Sequence, residues 1–185
     1  MTLGRAHLAA RDGKAAVAAF DRVLAARPGD AGALLGRASA LWMAGDLDGA
    51  AAALVALRGS HPELPEIAMT LALVELDRKK PDDALAAIGP LLRASPDMPQ
   101  ARLVNAEALM LQGNVKSALS EYRWLAALEP PSAVALSGLA LAAARAGLAD
   151  EARATWERAR GVDEVKAREY LRKIGGSEKD VAPPS

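Results

Sequence analysis

The sequence predicts an all-α chain: a solenoid of antiparallel helix pairs, about five repeats long, closed by one further helix at its C-terminal end. Three periodic series carry this. Prolines recur every 34 residues, at Pro28, Pro62, Pro96 and Pro130. An alanine stands twelve residues before each (Ala16, Ala50, Ala84, Ala118, with Ala152 continuing the series), and four residues later comes a large side chain: Phe20, Leu54, Ile88, Tyr122 and Trp156. A second small series is Gly4, Ala38, Ala72, Ala106 and Ala140, and no insertion breaks the register. A small residue lets two helix backbones approach, and a large neighbour fills the space beside it. The two alanine series are therefore the expected helix contacts, and the large series the core.

Numbering the repeat so that its proline is position 32 gives repeats at 31–64, 65–98, 99–132 and 133–163, preceded by a clipped one at 1–30. First helices are expected over 31–44, 65–78, 99–112 and 133–146. Asp30 and Ser132 are suited to the N-cap, and Pro65 and Pro99 to the first turn, where no N–H is needed. Gly45, Gly113 and Gly147 accept the left-handed conformation that ends these helices. Second helices are expected over 46–58, 82–94, 114–127 and 149–160. Gly89-Pro90 falls inside the second of these and should kink or break it, because proline removes a donor and crowds the carbonyl of Ala86. A capping helix follows over 163–174. Val165, Tyr170, Leu171 and Ile174 would face the last repeat, and Lys166, Arg168, Arg172 and Lys173 water, as an array needs a polar-backed end. Residues 175–185, with Pro183-Pro184, read as a disordered tail. The N-terminal edge should expose Leu3, Val17 or their neighbours, so that further repeats precede it or it pairs with a second copy as a homo-oligomer.

The composition argues against several function classes. Basic and acidic residues balance at 23 each, so there is no electrostatic footprint for nucleic acid. Cysteine is absent, which removes disulfides and thiolate chemistry. No apolar run reaches the length of a membrane span, so no direct membrane insertion is expected. The opening residues are too short and too polar for a signal peptide, which points to the cytoplasm, or to the periplasm if the segment belongs to a longer exported protein. His7 and His61 have no ligating neighbours at helical spacing. Ser39 and Ser137 lack a glycine-flanked elbow. Asp82-Asp83 open a helix, where they suit its dipole. Gly175-Gly176 follows a helix rather than a strand and is no phosphate loop. No enzyme, cofactor or metal site is expected.

Ala106, Gly113, Ala118, Tyr122 and Pro130, like Ala38, Gly45, Ala50, Leu54 and Pro62, stand at positions 8, 15, 20, 24 and 32. This pattern resembles the tetratricopeptide repeat, over essentially residues 1–163. Arg37 and Asn105 depart from it where leucine is usual, Lys79 replaces a turn glycine, and Glu164 replaces the last proline. The resemblance implies a right-handed superhelix whose first helices line a concave groove with positions 2, 5, 9, 12 and 13. Helical spacing independently puts 5, 9 and 12 on one stripe. The groove candidates are Leu35, Ser39, Trp42 and Met43 in repeat two, and Met69, Leu73 and Leu76 in repeat three. Repeat four supplies Leu103, Glu107, Met110 and Leu111, and repeat five Leu141 and Arg145. Part of the family holds acidic C-terminal tails with a Lys/Asn/Arg clamp here. Leu35, Ser39, Met69 and Leu73 leave this chain without one.

The expected function is a non-enzymatic scaffold for a protein or peptide partner, a hydrophobic segment or amphipathic helix held in the groove. The alternatives are that the stripe packs within the array, or that the chain is a segment of a longer or self-assembling array whose groove is filled by its own kind. The alanine- and arginine-rich composition points to a bacterial source, and the family implies an assembly or secretion accessory there.

Overall fold

The structure is a computed structural model and describes residues 2–182. It divides into two compact units, residues 1–93 and 94–185. All regular structure among the described residues is helical: α1 (Thr2–Ala9), α2 (Gly13–Ala26), α3 (Ala31–Met43), α4 (Leu47–Ser60), α5 (Pro65–Asp77), α6 (Pro81–Ala94), α7 (Pro99–Leu111), α8 (Val115–Ala126), α9 (Ala133–Arg145), α10 (Ala149–Lys173) and α11 (Glu178–Val181).

The expected punctuation is present. Asp30 accepts from the Ala33 N–H at 2.8 Å and Ser132 from Ala135 at 3.4 Å. Asp12, Asp46 and Asn114 cap α2, α4 and α8 in the same way. Pro65 and Pro99 open α5 and α7. Position 15 is left-handed in all five repeats: Gly45, Gly113 and Gly147, but also Arg11 (φ 58°) and Lys79 (φ 60°). The hairpin geometry thus imposes this conformation even where the residue carries a side chain.

Both small series and the large series are buried as expected, Tyr122 and Trp156 included. The large side chain also selects a partner the periodic series did not reveal. Sixteen residues after Phe20 and Tyr122 stand Gly36 and Gly138, whereas the smaller Leu54 and Ile88 are followed there by Thr70 and Val104. A Cβ on Gly36 would collide with the Phe20 ring, and one on Gly138 with the Tyr122 ring. Each aromatic ring takes the space a side chain would need at its glycine.

Two expectations, a break at Pro90 and a disordered tail, are corrected. α6 runs unbroken from Pro81 to Ala94 through Pro90, which lies one turn from the helix end with its ring exposed to water. The expected separation of a capping helix is present inside α10: even without a proline at 164, the helix is interrupted at Asp163, whose backbone is extended (φ −163°, ψ 99°). Asp163 caps the second limb, residues 164–173, by accepting from the Lys166 N–H at 3.0 Å. The expected disordered tail is ordered as far as 182. Ser177 and Asp180 form a capping box around α11, and Val181 is fully buried. Residues 183–185 lie outside the described residues. At the N-terminal edge Leu3 is exposed, as expected, and Val17 is half-buried.

Candidate functional site: the stripe of first-helix residues

In the N-terminal unit the stripe runs along α3 and α5. Leu35, Ser39, Trp42, Met69 and Leu73 are half-buried, Met43 is exposed and Leu76 is buried. The Ser39 hydroxyl donates to the Leu35 carbonyl of its own helix at 3.0 Å, which satisfies its donor locally. Trp42 Nε1 donates to Asp77 Oδ2 at 2.7 Å, tying position 12 of repeat two to position 13 of repeat three. Leu8, Arg11, Ser39, Trp42 and Met43 line an open cavity of about 560 Å³. The buried carboxylate of this unit, Glu75, is neutralised locally. Arg78, one turn on, donates to both of its oxygens at 2.8 Å and reaches Asp48 on α4 at 2.7 Å.

In the C-terminal unit the stripe runs along α7 and α9, and most of it is covered. Glu107, Met110 and Leu141 are buried, as is Ser137 between them in the register. Leu103 is half-buried and lines a cavity of about 280 Å³ with Pro99, Gln100 and Val134. Leu111 and Arg145 are exposed.

The cover is the chain's own C-terminal segment. Tyr170, on the second limb of α10, donates to Glu107 Oε1 at 3.0 Å, and its oxygen lies 3.0 Å from the Tyr122 hydroxyl. A carboxylate only accepts, so the protons run one way: Tyr122 donates to Tyr170, and Tyr170 to Glu107. Lys173 Nζ pairs with Glu107 Oε2 at 3.0 Å while its side chain stays exposed, on the water side where the sequence placed it. Gly176 abuts Leu141, where a Cβ would come within 2.8 Å, and Arg145 Nη2 donates to the Gly175 carbonyl at 3.2 Å. Burial raises both phenols above the ordinary tyrosine range, and the Tyr122 and Glu107 charges push Tyr170 further the same way.

The sequence placed Tyr170 and Leu171 against the last repeat, and both are buried, but it gave them no partner in repeat four. The spacing of Tyr170 and Lys173, three apart on a helix, puts them on one face. Nothing in that spacing names Glu107, 63 and 66 residues away. Among the described residues no group of His, Asp or Glu is placed to hold a metal, and no helix is long and apolar enough to cross a membrane.

Paired helices at a fixed period, with one apolar stripe repeated along the first helices, define a helical-repeat protein of the class that makes protein–protein contacts. The chain belongs to the Tetratricopeptide repeat family, whose profile matches residues 1–65 and 69–133. No curated protein matches it by sequence. Among solved structures it is similar to MamA from MSR-1 (22% identity, TM-score 0.72, covering 89% of this chain and 94% of that one). It is equally similar to TTC0263, a thermophilic TPR protein of Thermus thermophilus (22% identity, TM-score 0.73, 94% and 95%). YrrB, described as a TPR protein with an unusual peptide-binding site, aligns at 17% identity with a TM-score of 0.70 over 91% of this chain and 88% of its own. At these identities the likeness is one of fold.

Proposed function

We propose that the chain is a non-enzymatic scaffold whose first-helix stripe holds a hydrophobic peptide or the apolar face of an amphipathic helix. One observation carries this reading. In the C-terminal unit the stripe is already covered by such a helix, residues 164–173, which turns Ala167, Tyr170 and Leu171 inward and Lys166, Arg168 and Arg172 to solvent. The equivalent positions of the N-terminal unit, Leu35, Ser39, Trp42, Met43, Met69 and Leu73, offer a similar apolar surface that remains half-exposed or exposed. Methionines suit such a surface because their unbranched side chains adapt to the shape presented. The peptide-binding site attributed to YrrB supports the same use of the fold. The role proposed is that of a bacterial assembly or secretion accessory.

The test is Leu73→Arg. A charge at the centre of the stripe must be desolvated when an apolar partner binds, while in the free protein a long side chain at a half-buried position can reach water. Crosslinking in native lysate followed by mass spectrometry should lose the partner in this variant, with a melting temperature within a few degrees of wild type. A collapse of the melting temperature would make Leu73 core and remove the face as a site.

A further inference from the structure

We infer that the C-terminal segment, residues 164–182, is a displaceable resident of the second stripe, and that the partner this stripe takes is a helix with an aromatic hydroxyl followed three residues later by a lysine. The inference rests on the scaffold reading above and specifies the ligand chemistry of the second unit.

Four observations carry it. The first is how the two buried carboxylates are neutralised. Glu75 is satisfied by Arg78 of its own repeat, whereas Glu107 has its cation and its hydroxyl donor on a segment outside the repeats. A carboxylate at groove position 9, with the Tyr122 hydroxyl beside it, is a recognition pair for an incoming donor and ammonium. Glu107 is left with water, not with an unpaired charge in the interior, when the segment leaves, so opening strands no buried ion. The second is the joint. Asp163 interrupts the helix between the limb packed as part of repeat five and the limb lying on the stripe, and its side chain already caps the second limb as an independent helix. The third is the economy of the contact. Among residues 164–173 only Ala167, Tyr170 and Leu171 are buried, and Val181 of α11 adds one more anchor. The fourth is the fit. A cleft of about 340 Å³ remains where Val134 of α9 faces Lys166, Glu169, Tyr170 and Lys173, so the resident does not fill the face it covers.

A tethered resident competes at high effective concentration, which suppresses binding in trans until the anchors are weakened. The experiment uses the full chain and a fluorescein-labelled synthetic peptide of residues 163–182, read by fluorescence anisotropy. Opening the resident with Tyr170→Ala and Leu171→Ala should tighten peptide binding at least tenfold over wild type. On that opened chain, a peptide carrying Lys173→Glu should bind at least tenfold more weakly, and adding Glu107→Lys to the chain should restore it. In the wild-type chain, amides of 164–173 should exchange at least tenfold faster than those of the α7 and α9 centres, because the limb opens without the repeats. Equal exchange rates, or a folded opened chain that binds no peptide, would overturn the inference and make the segment a permanent cap. If that happens while Leu73→Arg still abolishes partner capture, the scaffold reading survives. If both fail, both fall.

Discussion

α3 and α9 hold the same place in their repeats, yet α3 buries only Ala33, Ala38 and Ala40 while α9 buries ten of its thirteen residues. Their composition does not explain this, since both are alanine- and leucine-rich. A helix buried all round is one covered on every side. α9 packs between α8, α10 and the returning C-terminal limb, and α3 has no such cover on its stripe. A segment outside the repeats thus changes the exposure of the stripe in this chain: position 9 is half-buried at Ser39 and Leu73 in one unit and buried at Glu107 and Leu141 in the other.

The largest effects should come from the side chains that build the more buried unit. Trp156→Ala and Tyr122→Ala each remove a fully buried ring and should cost ~3–5 kcal/mol in urea melts. A change below half a kilocalorie would mean that the second unit does not depend on its large series.

The contrast between the two stripes is sharpened by a matched pair. Leu141→Ala, at a sealed position, should cost ~2–4 kcal/mol, and Leu73→Ala, at the half-buried equivalent, about 1 kcal/mol because less apolar area returns to water. Equal losses would erase the distinction between open and covered faces.

A third test uses pH. Both tyrosines of the chain, Tyr122 and Tyr170, are in the C-terminal unit. Burial raises their folded-state pKa above the unfolded value of 10.0, so the neutral phenols stabilise fully below that pH, and the contribution is lost as the pH rises toward the folded-state value. Circular dichroism should show helix loss setting in above about pH 10. Tyr122→Phe with Tyr170→Phe should flatten that loss. A wild-type profile unchanged by the double substitution would show that these phenols do not couple to folding.

The smallest effect concerns the turns. The two left-handed turn residues that carry side chains, Arg11 and Lys79, are both in the N-terminal unit, while the C-terminal unit uses Gly113 and Gly147. Relieving the left-handed conformation is worth roughly 1–2 kcal/mol, less about 0.5–1 for the freer unfolded glycine. Lys79→Gly should therefore raise stability by up to about 1.5 kcal/mol, and Gly113→Ala should lower it by a similar amount. Thermal melts of the two variants would show both signs, and a Lys79→Gly variant less stable than wild type would contradict the strain.

What repeats was legible in the chain: the helix pairs, their caps, the left-handed turn glycines at position 15 and the small-against-large packing. These follow from interactions between residues at most about 34 apart, repeated often enough that periodicity alone exposes them. The chain also contained, unread, the pairing of Phe20 with Gly36 and Tyr122 with Gly138, which is legible as a fixed spacing of sixteen. What occurs once became visible only on folding. The folded chain showed that α6 continues through Pro90, that Val181 is buried, and that Tyr170 and Lys173 fold back onto Glu107. A contact made once between residues more than sixty apart leaves no period in the chain. It is chosen by which apolar face is left open when the repeats end and which segment is close enough to cover it.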